Sequence, residues 1–172
     1  MKILGIDPGT KRIGYGLIEK KGKKLVYLDS GLLKIHSHTP GTVKINSEYL
    51  YLLDLEKSFK ELIKKNKPDL IALEKLFFMR NKKTAMKVAR AKGILILTAL
   101  KKKIPLIEIN PTEVKFSLTG DGKADKIGVA KMVNYFLNIN YSFKVDDIAD
   151  ALAIAICVAL KLDFQKYENY KN

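Results

Sequence analysis

The sequence predicts an α/β fold, a five-stranded mixed sheet flanked by helices. Three observations carry this expectation. The first 35 residues alternate short apolar runs with turn residues, the pattern of an antiparallel meander. Two later apolar runs, residues 69–74 and 105–109, are short, and each follows a long stretch of helical periodicity. The runs ending at Asp7 and Glu74 both finish in a carboxylate, where open sheets mixing helices and strands place their sites.

The opening strand is built on Ile3, Leu4 and Ile6. Pro8-Gly9 ends it, because proline has no N–H for the ladder and glycine permits a sharp reversal. Asp7 is thereby left at the carboxyl end of an interior strand, where a carboxylate is costly unless paired, solvated or bound to a cation. Asp-Pro-Gly is also good turn chemistry in itself. Gly14 and Gly16 share one face of the second strand and mark a close approach by a ligand or another backbone. Residues 24–35 form the third strand, bulged at Gly31. His36 and His38 follow in a polar loop without Cys or carboxylate nearby, and read as loop residues rather than metal ligands.

Residues 42–65 carry apolar positions at three and four, a helix that Pro68 ends. The strand to Glu74 repeats the situation at Asp7. Phe77, Phe78, Arg80, Lys82 and Lys83 then make a basic loop with two adjacent aromatics. One aromatic suits stacking on an unpaired base, and packing beneath the loop is the alternative. Residues 84–100 form a second long helix whose later half is apolar nearly all round, fit for a core or a subunit interface. After the strand 105–109, Asn110-Pro111-Thr112 starts a short helical turn with Lys115. Gly120 to Lys126 is a Gly-rich basic loop with Lys123, entering a helix whose N-terminus is a fair seat for a phosphate. It is not a Walker loop.

From Ile148 onward the last helix is apolar on every side except at Asp150. A lone ionised Asp inside such a helix costs several kcal/mol unless neutralised. Asp147 and Asp150, three apart, share a face, as do Asp146 and Asp150. Capping accounts for Asp146 and Asp147 without function, but not for Asp150.

At 172 residues the chain reads as one domain over 1–162, burying roughly 70% of its unfolded surface, with a tail over 163–172 prone to fray. No signal-peptide or membrane-span pattern is present, and the lone Cys157 fits a reducing compartment, so a cytoplasmic protein is expected. The net charge of +14, with ten Lys or Arg and no acid from Lys75 to Ile107, points to a polyanionic partner.

Asp7, Glu74, Asp150 and one or both of Asp146 and Asp147 thus stand out in apolar elements. Clustered carboxylates without Cys or His favour Mg2+ or Mn2+. Joined to a basic surface, they imply phosphodiester hydrolysis by two metals.

Together these segments resemble the RuvC family of Holliday-junction resolvases over nearly the whole chain. The resemblance rests on Gly5-Ile6-Asp7-Pro8-Gly9-Thr10 with Gly14-Tyr15-Gly16, Glu74-Lys75-Leu76-Phe77, Ala91-Lys92-Gly93, Gly120-Asp121-Gly122-Lys123-Ala124-Asp125-Lys126, and Asp147-Ile148-Ala149-Asp150-Ala151-Leu152-Ala153-Ile154-Ala155. It implies an RNase H-like fold and a homodimer paired through the longer helices. It also implies Mg2+-dependent symmetric nicks in a four-way DNA junction, leaving 5′-phosphate and 3′-hydroxyl ends. By motif position Asp7, Glu74, Asp147 and Asp150 match the family's acidic site, Phe77 its base-facing aromatic, and Lys115 and Lys126 basic positions near the scissile phosphate. Asp146 adds an acid beside that pattern. The branch-migration proteins RuvA and RuvB are partners by resemblance alone. Three other readings compete: a YqgF-type RNase H-like nuclease acting on RNA, half of an actin-like ATPase, and a junction-binding module without catalysis. The second needs about twice this length, and uncompensated acids argue against the third.

Overall fold

A computed structural model gives the structure for residues 1–9, 12–35, 47–75, 82–142 and 146–162, with side chains undescribed at 82 and 83. Strand β1 (Lys2–Pro8) pairs antiparallel with β2 (Ile13–Lys21), which pairs antiparallel with β3 (Lys24–Leu32). Helix α1 (Ser47–Asn66) leads to β4 (Leu70–Glu74), and α2 (Lys82–Lys101) leads to β5 (Leu106–Ile109). The two short strands pair in parallel, β4 with β1 and β5 with β4, giving the order β3-β2-β1-β4-β5. Helices α3 (Pro111–Thr119), α4 (Lys126–Leu137) and α5 (Asp146–Lys161) complete the described fold. A five-stranded mixed sheet flanked by helices is therefore what the sequence builds.

Alternation along the strands divides the core in two. Ile3, Leu70, Ala72 and Ile109 face α3, α4 and α5. Leu4, Ile6, Ile71 and Leu73 face α1 and α2, against Phe59, Ala91 and Leu95. Fully burying each Leu or Ile stabilises by about 1.5–3 kcal/mol.

Helix α5 packs on the sheet at very short range, and three glycines permit it. Gly5 and Gly16 are register partners, and so are Asp7 and Gly14, so all four lie on the α5 face. A Cβ at Gly5 would stand 2.1 Å from the Ala151 carbonyl oxygen, one at Gly14 2.0 Å from that of Asp147, and one at Gly16 2.7 Å from the Leu152 nitrogen. The close approach expected at Gly14 and Gly16 is thus that of a backbone.

Two local expectations are corrected. The β3 irregularity lies where Leu17 pairs Asp29 and Ile18 pairs Tyr27, leaving Leu28 as the extra residue rather than Gly31. Gly31 instead makes room for its partner Tyr15, whose ring a Cβ there would meet at 3.1 Å. The turn after Asn110 is a nine-residue helix, which continues until Gly120 takes φ 77° and donates its N–H to Phe116. At the α4 N-terminus the Asp125 carboxylate accepts the Gly128 N–H at 2.7 Å, capping one of the first-turn donors. Cys157 is buried, its Sγ 3.2 Å from Ser117 Oγ, a core residue as its apolar setting suggests.

Candidate active site

Asp7 and Glu74 stand at the carboxyl ends of adjacent parallel strands, one step beyond the Ile6–Leu73 pair. Alternation aims both at the α5 face. The glycine seat holds the first turn of α5 against that same end of the sheet. A Cβ at Gly9 would lie 3.4 Å from Asp147 Oδ1, which places this carboxylate beside the β1 turn. Asp150 follows one helical turn later on the same face. Residues far apart in sequence are brought together by the sheet register at one edge and the helix seat at the other.

The electrostatics record how close they are. Burial, reinforced by the charges of Glu74, Asp150 and Asp147 and opposed by Lys126, pushes the Asp7 carboxyl up to about 8. Burial and then Asp150 raise Glu74, while Lys92 and Lys126 pull it down. Burial also raises Asp150, against the lowering effect of Lys126. Carboxylates that share a partly dry site cannot all ionise at ordinary cost. Two cations partly offset the charge. Arg12 Nε lies 3.1 Å from Asp147 Oδ2, and Lys126 Nζ lies 3.6 Å from Asp150 Oδ2 and 3.3 Å from Asp146 Oδ2.

A cleft of about 170 Å3 opens beside these acids, lined by Glu74, Asp150, Lys115, Lys126 and apolar residues including Ile154. A neighbouring groove of about 340 Å3 continues past Lys126 and Asp150 to Lys131, Asn134 and Tyr141. Acids that could bind cations and lysines that could bind phosphate therefore share one wall.

The donor set fits a hard divalent cation: four carboxylates with no sulfur or imidazole ligand among them. Asp147 Oδ2 is buried and makes no hydrogen bond, its contact with Arg12 being ionic only. Among the described residues no three acids already converge on a single point. Asp147 is instead engaged by Arg12 and Asp150 by Lys126.

The structure thus brings Asp7, Glu74, Asp147 and Asp150 together and sets Lys115 and Lys126 beside them. Of the neighbouring pair, Asp147 faces Asp7, whereas Asp146 is 65% exposed and turned to Lys126. Lys123 is exposed in the turn before α4, its N–H bonded to Asp121 Oδ1 at 2.8 Å. Phe77, Phe78 and Arg80 lie outside the described residues, as do His36, His38 and the tail, and of Lys82 and Lys83 only the backbone is described. Two cations escaped the sequence reading. Arg12 sits in a turn with no pattern to single it out. Lys92 had a signal, falling between Val88 and Leu95 on the buried face of α2, where a lysine is out of place.

Comparison with known proteins bears on the whole chain. The family profile described as Crossover junction endodeoxyribonuclease RuvC matches residues 3–158. A crossover junction endodeoxyribonuclease RuvC of Thermosipho melanesiensis is 41% identical over 164 residues, covering 95% of this chain and 100% of the relative. The solved Thermus thermophilus RuvC structure superposes with a TM-score of 0.79 at 29% identity, covering 99% of this chain and 98% of that one. A T. thermophilus RuvC in complex with Holliday junction substrate gives 0.76 at 27% identity, covering 91% and 92%. The RNase H-like α/β fold is shared with these structures. With profile, sequence and fold in agreement over most of its length, the chain belongs to the RuvC family of crossover junction endodeoxyribonucleases.

Proposed function

We propose that this protein is a structure-specific DNA endonuclease that resolves Holliday junctions in recombination and repair by metal-dependent nicks in opposing strands, leaving 5′-phosphate and 3′-hydroxyl ends. The observation that carries this reading is the gathering of Asp7, Glu74, Asp147 and Asp150 at one end of the sheet, beside a cleft lined by Lys115 and Lys126. An acidic cluster alone would repel phosphate. An acidic cluster that binds cations, flanked by lysines, suits a scissile phosphodiester. The four acids would hold Mg2+, two ions per site, with Mn2+ able to substitute. When bound, such ions supply water activation and stabilisation of the leaving oxygen.

The chain's own residues have distinct tasks. Asp7, whose carboxyl burial raises to about 8, would give up its proton on holding a cation. Lys115 and Lys126 supply ammonium donors to phosphate oxygens in the cleft. Phe77 stacks against a base near the junction point, with Phe78, Arg80, Lys82, Lys83 and Lys123 along the DNA path. Two copies acting as a homodimer give two sites for two strands. Exposed Tyr49 and Leu53 on α1 and Met86, Leu97 and Leu100 on α2 supply apolar surface for that pairing. RuvA and RuvB are the partners that family membership suggests. Among the described residues no helix is long and apolar enough to cross a membrane, and the cytoplasm is the proposed location.

The test is cleavage of a mobile four-way DNA junction with Mg2+ and with EDTA, resolved on a denaturing gel. Symmetric nicks in opposing strands, present only with metal, are expected. Asp7→Asn and Asp150→Asn should each abolish cutting while leaving junction binding intact or stronger. Wild-type protein that binds the junction without nicking it under any divalent metal would overturn the enzymatic reading.

A further inference from the structure

Lys92 is the one lysine among the described residues that is buried, at 4% exposure, in the middle of α2. A charge in such a place persists only with partners. Lys92 Nζ donates to the Glu74 carbonyl oxygen at 2.8 Å and forms a close ion pair with the Glu108 carboxylate. Those partners belong to adjacent parallel strands, with Glu74 paired to Ile109 and Leu73 to Glu108. Alternation puts the Glu74 side chain on the α5 face, with Leu70 and Ala72. Lys92 approaches from the opposite face, among Ala91, Leu95, Ile71 and Leu73. It therefore touches the backbone of a site residue without standing in the site.

We infer that Lys92 is a positioning residue: from behind the sheet its ammonium holds the terminal carbonyl of β4 and so fixes where the Glu74 carboxylate stands for cation binding, while Glu108 of β5 balances its charge. The role rests on the reading of Glu74 as a cation-binding acid. A strand end is otherwise the place where backbone frays, and β4 has only five residues. The link at Glu74 joins the Lys75 N–H to Ile109 carbonyl bond of 2.7 Å in closing that end. The positive charge also acts on Glu74 directly, countering the burial and the Asp150 charge that raise its carboxyl.

A purely structural ion pair makes a different prediction from a positioning contact, so the two can be separated. Glu108→Gln leaves Lys92 on the Glu74 carbonyl, whereas Lys92→Met with Glu108→Gln removes both charges together, leaving no unpaired charge and taking the ammonium donor from the Glu74 carbonyl. Direct Mn2+ binding, followed by electron paramagnetic resonance without DNA, should be near wild type in Glu108→Gln. It should be at least about tenfold weaker in the double variant, the size found when groups that orient metal ligands are lost. Junction cleavage at limiting Mg2+ should fall in parallel, with the melting temperature read on the same samples. Lys92→Met alone gives the same reading should the double variant fold poorly, since Glu108 is 40% exposed and stays solvated. Wild-type Mn2+ affinity in a folded variant lacking Lys92 overturns the inference and leaves the pair as a stability feature. Glu74→Gln is the control. If it binds Mn2+ like wild type, the assignment of Glu74 fails; if it loses Mn2+ while the Lys92 variants do not, only the role of Lys92 fails.

Discussion

Asp7 is a carboxyl group that the fold shields from water and surrounds with three other acids. Its folded value of about 8 lies above the ordinary 3.8, so the unfolded chain gives up this proton first as pH rises. Stability from the protonated group is complete below about pH 4 and is lost as pH climbs through 8. In EDTA the melting temperature should therefore fall between pH 5 and pH 8.5. Asp7→Asn should flatten that dependence and raise the melting temperature at pH 8.5 by about 4 °C or more. Saturating Mg2+ should do much the same for the wild type by binding only the folded state. An Asp7→Asn protein no more stable than wild type at pH 8.5 would show that water, not neighbouring acids, surrounds this side chain. The identity of the acids was legible in the sequence, because Asp7, Glu74 and Asp150 each interrupt or end an apolar run. Lys126 was legible as a basic position beside the site, though not its pairing with Asp150, and Arg12 was not, because it reaches Asp147 through packing, which no spacing records.

At the scale of elements, the site depends on how closely α5 can approach the sheet. Gly14 bears on it most directly, since a Cβ there would stand 2.0 Å from the carbonyl oxygen of Asp147 itself. Gly14→Ala must push the first turn of α5 outward or distort β2. Overpacking of this kind costs about 1–3 kcal/mol, and the displaced turn carries two of the four acids. Cleavage should fall much further than stability, when rate at saturating junction is compared with the melting temperature. Gly93→Ala is the contrasting case, in mid-helix with nothing within 4 Å of the added Cβ. It should leave the melting temperature unchanged or raise it, by about 0.5–1 kcal/mol of helix stability. Gly14 and Gly16 were legible as a sign of close approach, but not the identity of the approaching element, because two-residue spacing reports a face and nothing of what lies over it. The β3 bulge was misplaced for a related reason. Gly31 answers to the Tyr15 ring across the strand, a contact that local sequence does not contain. The α3 helix outgrew its expected single turn because Val114 and Leu118 both find the core, while the sequence signal was dominated by Asn110-Pro111 at its start.

For the whole molecule, the net charge of +14 sets the terms on which it meets DNA. The acids of the site are concentrated at one end of the sheet, so the remaining surface is more basic than the net figure conveys. Phosphate contacts release condensed counterions, and affinity for a junction should fall steeply with salt. With six or more phosphates neutralised, raising salt from 50 to 200 mM should weaken binding by about a thousandfold. Fluorescence anisotropy on a labelled junction would measure the slope, and a flat response would exclude an electrostatic footprint of that size.

The seating of α5 on the three glycines also bears on when the protein becomes active. Synthesis proceeds from residue 1, so Asp7 and Glu74 emerge long before Asp147 and Asp150, and long-range pairing of this kind comes late in folding. A nascent or prematurely terminated chain ending before Asp146 carries two of the four acids and lacks the helix that seats on Gly5, Gly14 and Gly16. The four-acid cluster proposed to hold the metal ions therefore cannot assemble until the last described helix has been made and docked.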